Sequence, residues 1–208
     1  MLPNTPQHLM TRNQFRQHIR KKRNAISDKQ QAVQATQLVN VIKSLPQLKS
    51  ASKVALYLTN DGEIDTHHLI EWCWKHGIQT YLPVIHPFSQ GHLLFLHYNQ
   101  HTPLVNNRYN ILEPRLDVTK LTPCSTLDVI FTPLVGFDNH GHRIGMGGGY
   151  YDRTLAPWFT QNTGPVPIGL AHDCQHVEKL PIEAWDVPLP FIVTPSKIWH
   201  WENTHNSL

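Results

Sequence analysis

Apolar and polar positions follow two rhythms along this chain, and the change between them marks its organisation. From Thr11 to about Ser44 the apolar residues recur at helical spacing. Thr11-x-x-Gln14 fits a capping box with Met10 and Phe15 as its staple, and it predicts a first helix with Phe15 and Ile19 on the apolar side. Ser27-x-x-Gln30 repeats the signal. It predicts a second helix to about Ser44, with Val33, Ala35, Leu38, Val39 and Ile42 facing the core and Pro46 marking its end. Beyond Lys53 the rhythm becomes strand-like. Residues 53–58 (Lys-Val-Ala-Leu-Tyr-Leu) predict a strand, Asn60-Asp61-Gly62 a turn, and Thr66 the cap of a helix carrying Leu69, Ile70, Cys73 and Trp74 that stops at Gly77. Residues 78–85 resume as a strand. A βαβ unit of this size implies parallel neighbours.

A further strand is expected over residues 92–98, as a hairpin or edge piece. Residues 99–123 carry few periodic signals and predict a long loop that holds Tyr109-Asn110-Ile111-Leu112-Glu113-Pro114. The β-branched run at 128–135 reads as a buried strand, Leu155, Trp158 and Phe159 as one helix face, residues 165–171 as the next strand, and 191–194 as the last. Two helices followed by β/α alternation define the fold class: α/β, a single three-layer domain over residues 1–208 with a largely parallel sheet, residues 1–10 forming a loose arm. Ligands of such sheets sit at the carboxyl ends of the strands, which gathers the loops after Leu58, Ile85, Val135 and Ala171 on one rim.

Composition narrows the classes. No apolar run approaches the ~20 residues that span a bilayer, and the first fifteen residues lack the basic-then-apolar layout of a secretory signal. Cys73, Cys124 and Cys174 are far apart with no C-x-x-C, which points to free thiols in a reducing cytoplasm. A net charge of +3 suits an anionic ligand and does not argue for nucleic acid. The six tryptophans, at positions 72, 74, 158, 185, 199 and 201, are expected to be packing residues.

The chemistry concentrates in Arg143-Ile144-Gly145-Met146-Gly147-Gly148-Gly149-Tyr150-Tyr151-Asp152. It sits between a strand and a helix, where glycines let backbone N–H groups approach phosphate and the helix presents its positive end. Arg143 would neutralise phosphate oxygens and Asp152 would reach a shared magnesium ion. It is neither a Walker A loop nor a regular G-x-G-x-x-G. Arg12, Arg16, Arg20 and Arg23 recur at spacings that place them in one stripe, either a solvated basic face or a surface against which an anion lies. Near the first strand, Glu63 is placed to accept a ligand's N–H groups, as on a pteridine or purine edge, while Asp65 is expected to help cap the next helix. Asp173 or Asp186 would supply a second magnesium oxygen. His172 and His176 stand at i,i+4, but no H-E-x-x-H accompanies them, and a loop reading is favoured. His140 and His142 are read as loop residues. One of Tyr150 and Tyr151 is expected to face the ligand and the other the core. No nucleophilic triad can be assembled.

These residues together resemble the 5-formyltetrahydrofolate cyclo-ligase (5,10-methenyltetrahydrofolate synthetase) family. The resemblance rests on the arginine helix, on Tyr57-Leu58-Thr59-Asn60-Asp61-Gly62-Glu63-Ile64-Asp65, on Glu113-Pro114, and on Pro133-Leu134-Val135-Gly136-Phe137-Asp138 running into the glycine stretch. It implies an architecture like that of ribose-5-phosphate isomerases and CoA transferases, ATP as cosubstrate with Mg²⁺, and 5-formyltetrahydrofolate as substrate. By position it implies that Arg12, Arg16, Arg143, Gly145, Gly147, Gly148, Gly149, Tyr150, Tyr151 and Asp152 bind ATP. Leu58, Glu63, Gly147, Gly148, Gly149 and Tyr150 would contact the folate, Asp152 and Asp186 would hold Mg²⁺, and Arg143 with Tyr151 would act in catalysis. Arg12 stands where the family often has lysine, which keeps the charge and changes its geometry. The partners expected are small molecules, with no nucleic acid and no membrane, and a monomeric cytoplasmic protein is expected. A sugar-phosphate isomerase or CoA transferase on a similar scaffold, and a non-enzymatic anion- or nucleic-acid-binding module, are the alternatives.

Overall fold

The computed structural model describes residues 10–161 and 163–201, so all but the last residue of the expected N-terminal arm lies outside the described residues. Helices α1 (Arg12–Asn24) and α2 (Asp28–Ile42) begin as the capping boxes dictate. The Gln14 and Gln30 side chains accept the cap N–H groups of Thr11 and Ser27 at 2.8 and 3.0 Å. The short α3 (Pro46–Lys49) follows. The chain then runs β1 (Lys53–Ala55), α4 (His67–Lys75), β2 (Gln79–Ile85), β3 (Leu93–Tyr98), β4 (Leu104–Asn106), β5 (Leu112–Pro114), β6 (Leu121–Thr122) and β7 (Val129–Pro133). After it come β8 (Gly136–Phe137), β9 (Arg143–Ile144), α5 (Tyr150–Gln161), β10 (Val166–Leu170), β11 (Phe191–Val193) and β12 (Ile198–His200).

Eight strands form the main sheet in the order β12-β11-β10-β7-β1-β2-β3-β6. The five from β11 to β2 are parallel, and β12, β3 and β6 pair antiparallel at its two edges. Side chains alternate between two cores with the period of two that a strand imposes. Val54, Leu56, Val129, Phe131, Ile168 and Leu170 meet Leu38 and Ile42 of α2 and Leu69, Ile70 and Cys73 of α4 on one face. Ala55, Tyr81, Phe95, Ile130 and Ile192 meet Leu155 of α5 on the other. The three layers are therefore as expected. A third, smaller cluster joins Phe15 and Ile19 of α1 to Val135, Ile144, Val177 and Leu180, and it docks the arginine helix beside the rim after β7.

Several local expectations change. The first strand stops at Ala55, so Tyr57 and Leu58 leave the sheet as its rim. Val33 is exposed rather than core-facing. Thr66 makes no cap bond: its buried hydroxyl donates to the Tyr57 carbonyl at 2.5 Å, and Asp65 caps α4 by accepting the His67 N–H at 2.8 Å. The expected loop 99–123 contains the ribbon β4–β5 and the edge strand β6. A second ribbon, β8–β9, separates the central strand from the glycine stretch, and β12 follows the strand expected to be last. All three cysteines are free thiols. No helix among the described residues is long and apolar enough to cross a membrane.

Candidate functional site

Where β1, β2 and β7 end, the chain encloses a cavity of about 670 Å³, within the range of small-molecule sites. Tyr57 and Leu58 enter from β1, Ile85 from β2, and Pro133, Leu134 and Val135 from β7. The glycine stretch, α1, the β4–β5 ribbon and the loop carrying Trp185 and Asp186 complete the wall. The residues that the family resemblance assigned to ATP, folate or magnesium all line this one space: Arg12, Arg16, Leu58, Glu63, Arg143, Gly145, Gly147, Gly148, Gly149, Tyr150, Tyr151, Asp152 and Asp186. Asp173, the alternative to Asp186, does not; it accepts the Ser196 hydroxyl at 2.5 Å instead.

Gly147 and Gly149 hold φ of +103° and +66°, backbone that L side chains rarely adopt. The stretch lines the cavity and runs directly into the first turn of α5 at Tyr150, the arrangement in which backbone N–H groups and a helix N-terminus suit an anion. The arginine stripe divides. Arg20 and Arg23 grip Asp61 at 2.7 and 2.6 Å, and Arg12 forms a two-pronged pair with Asp186. Arg16 alone of the four has no carboxylate partner among the described residues. It donates to the Gly145 carbonyl at 2.8 Å and to Asn13 at 2.6 Å. Burial, and then the like charge of Arg12, lowers its pKa, an environment that favours an added anion.

Arg143 is 3% exposed. It donates through Nη2 to Asp152 Oδ1 at 2.7 Å, and its Nε has no partner. The hydrogen bonds recorded at Asp152 fall on Oδ1, from Arg143 and, at 3.5 Å, the Val187 N–H. That leaves Oδ2 with a metal ligand's lone pairs. Asp186 differs: Arg12 occupies both its oxygens, and the Glu183 N–H adds a third donor at 2.8 Å. Mg²⁺ bound to phosphates and waters needs only one or two carboxylates, so Asp152 fits that role and Asp186 fits that of a clamp on Arg12.

Glu63 faces the cavity. Burial raises its carboxyl to about 7, against the opposing effects of Arg23 and the Asn60 N–H. Beside it the buried Tyr57 hydroxyl has no hydrogen-bond partner. Tyr150 and Tyr151 both line the cavity, but they diverge. Tyr151 packs against the core that α5 shares, while the Tyr150 hydroxyl receives Arg108 at 2.5 Å and lies 3.1 Å from that of Tyr109. The ribbon tip thus meets the glycine stretch across the cavity mouth. Sequence reasoning singled out neither Arg108 nor Trp185; for the ribbon the one signal was an aromatic, acidic run in an overlong loop.

The histidines hold the frame. Asp138 accepts the N–H groups of His140, His142 and Leu180 and the His142 ring at 2.8–3.2 Å. Its carboxylate is saturated as the pin of the β8–β9 turn. His172 contacts Gln34 and His176 contacts Asn139, so the pair forms no clamp.

Fold and site together define an α/β protein whose rim cavity gathers arginines, carboxylates and a glycine-rich backbone. The sequence profile of the 5-formyltetrahydrofolate cyclo-ligase family matches residues 9–195, and the chain belongs to that family. It is 52% identical over 183 residues to the 5-formyltetrahydrofolate cyclo-ligase of Escherichia coli (strain K12), covering 88% of this chain and all of that one. It is 47% identical to the Haemophilus influenzae cyclo-ligase over 178 residues, covering 86% and 94%. The solved structure of Aquifex aeolicus 5,10-methenyltetrahydrofolate synthetase superposes with a TM-score of 0.77 at 27% identity, over 96% of this chain and 100% of that one.

Proposed function

We propose that this chain converts 5-formyltetrahydrofolate to 5,10-methenyltetrahydrofolate with cleavage of ATP to ADP and phosphate. The formyl oxygen on N5 is a poor leaving group. Transfer of the γ-phosphoryl to it gives an iminium phosphate and ADP, N10 attacks the formyl carbon and gives up its proton to the departing phosphate, and phosphate leaves with the former formyl oxygen to give the methenyl bridge. The step needs charge stabilisation and alignment rather than a side-chain nucleophile. Arg16, Arg143 and the N–H groups of the glycine stretch take the phosphate oxygens. Asp152, through Oδ2, would hold Mg²⁺, which would supply further neutralisation of phosphate charge. Glu63 and Leu58 hold the folate, with the Glu63 carboxylate accepting N–H groups of the pterin edge and the stretch from Gly147 to Tyr151 lying between the two substrates. The reading is carried by the convergence of anion-binding and carboxylate groups on one cavity, and it is supported by the family.

An absorbance assay for methenyltetrahydrofolate tests it: product should form only with ATP and Mg²⁺. ADP release that does not require 5-formyltetrahydrofolate would defeat the reading. The protein is taken to act as a monomer in the cytoplasm, which size-exclusion chromatography and cell fractionation check.

The Glu63 assignment makes a prediction about pH. The folate KM of the native enzyme should rise as pH falls below about 7, by up to about tenfold per unit, because protonation removes an acceptor. Glu63→Gln should show a raised, pH-independent folate KM and an unchanged ATP KM. Stability should move the other way. A carboxyl raised in the fold from 4.5 to about 7 keeps its proton through that window, so its contribution is lost as pH rises through 7. Glu63→Gln should therefore melt above the native protein at pH 8, an advantage that disappears by about pH 4.5. A variant with the native pH profile would reject the assignment.

A further inference from the structure

Trp185 departs from the other tryptophans. It is 68% exposed, whereas Trp158 is buried and Trp72, Trp74, Trp199 and Trp201 lie partly buried against the two sheet cores. A single exposed aromatic is unremarkable in itself, but this one lines the substrate cavity. Among the described residues its ring has no hydrogen bond and no aromatic partner. Its backbone is held on either side. The Asp186 N–H donates to the Glu183 carbonyl at 3.0 Å, the Glu183 N–H returns a bond to the Asp186 carboxylate at 2.8 Å, and Arg12 donates to the Pro181 carbonyl at 3.0 Å. An apolar plane on a fixed turn, lining the substrate cavity, is the form of a stacking surface.

Charge neighbourhoods decide which substrate it meets. Arg12 pairs with Asp186, Arg143 with Asp152, and Arg16 donates to the Gly145 carbonyl. Glu63 stands apart from these and accepts the Asn60 N–H at 3.2 Å. The cavity thus has a phosphate end and a Glu63 end, and Trp185 adjoins the phosphate end through Asp186. Met146, also exposed, joins the same wall from the glycine stretch.

We infer that Trp185 is the surface on which the nucleobase of the bound nucleotide stacks. This rests on ATP being the cosubstrate. Arg12 and Asp186 then have a second role, fixing the loop that presents the indole.

The test uses the full chain with Mg²⁺ present and compares calorimetric Kd values for ADP and inorganic tripolyphosphate, which has the phosphates and no base. Trp185→Ala should weaken ADP roughly tenfold, as loss of one base–aromatic stack does, and leave tripolyphosphate unchanged. Trp185→Phe should restore most of the ADP affinity. Equal weakening of both ligands, an unchanged ADP Kd, or a change confined to the folate KM would each overturn the inference. A native chain that binds tripolyphosphate but not ADP would overturn the ATP reading as well, a result distinguishable because it appears before any substitution is made.

Discussion

Asp152→Ala is expected to lower turnover by about a thousandfold or more and to destabilise the fold by about 3–5 kcal/mol. The two losses have different origins. The first follows from removing the Oδ2 lone pairs proposed to hold Mg²⁺ against the phosphates. The second follows from Arg143, whose guanidinium is almost wholly buried and whose carboxylate partner is Asp152 at 2.7 Å. Burial already lowers the Arg143 pKa, and Asp152 is the first of the groups that oppose it. Truncating the acid strands a buried cation, and that desolvation penalty outweighs the value of the pair itself. Two controls separate the effects. Asp152→Asn keeps an oxygen for Arg143 and removes the metal-binding charge, so it should lose turnover with a smaller loss of stability. Arg143→Met combined with Asp152→Leu removes both charges and should recover much of the stability without recovering turnover. Urea denaturation alongside a Mg²⁺ titration of the absorbance assay measures both quantities. Native-like Mg²⁺ dependence in Asp152→Ala would end the metal role, and native-like unfolding would end the structural one.

What could be read from the chain is what is written locally. Thr11-x-x-Gln14 and Ser27-x-x-Gln30 specify helix starts within four residues, and the structure forms both boxes. The run around Val129 is a central strand because both of its faces meet apolar layers, which is what an uninterrupted β-branched sequence requires. The glycine stretch carries its own signal, since Gly147 and Gly149 hold positive φ that residues with side chains rarely adopt. What stayed hidden depends on distance. Spacing placed Arg12, Arg16, Arg20 and Arg23 on one face, but Asp61 lies 41 residues from Arg20 and Asp186 lies 174 from Arg12. No local pattern separates an arginine awaiting a ligand from one already paired inside the fold. The ribbons β4–β5 and β8–β9 have strands of two or three residues, too short for alternation to register. Thr66 looked like a cap because its type is right, yet its hydroxyl is held by the Tyr57 carbonyl.

That division of the stripe yields the remaining large effect. Arg16→Ala should reduce kcat/KM for ATP by about 10²–10³-fold while shifting the melting temperature little. Its Nη2 makes no bond among the described residues, and the groups it does touch, Asn13 and the Gly145 carbonyl, are within reach of water once it is gone. A Cβ on Gly147 would lie 3.7 Å from the Arg16 guanidinium, which puts that cation directly over the glycine stretch. Arg20→Ala is the matched comparison. It removes one arm of a partly exposed pair with Asp61, and Arg23 remains bonded to that acid. Stability should therefore fall by about 1 kcal/mol or less, with the ATP KM unchanged. Kinetics in ATP and thermal melts of both variants decide the matter. Equal kinetic losses would mean that the anion lies along the whole helix and that the Asp61 pairing gives way when it binds. No loss in Arg16→Ala would leave the phosphates to Arg143 and the glycine N–H groups, and the helix would then serve only to close the rim of the cavity.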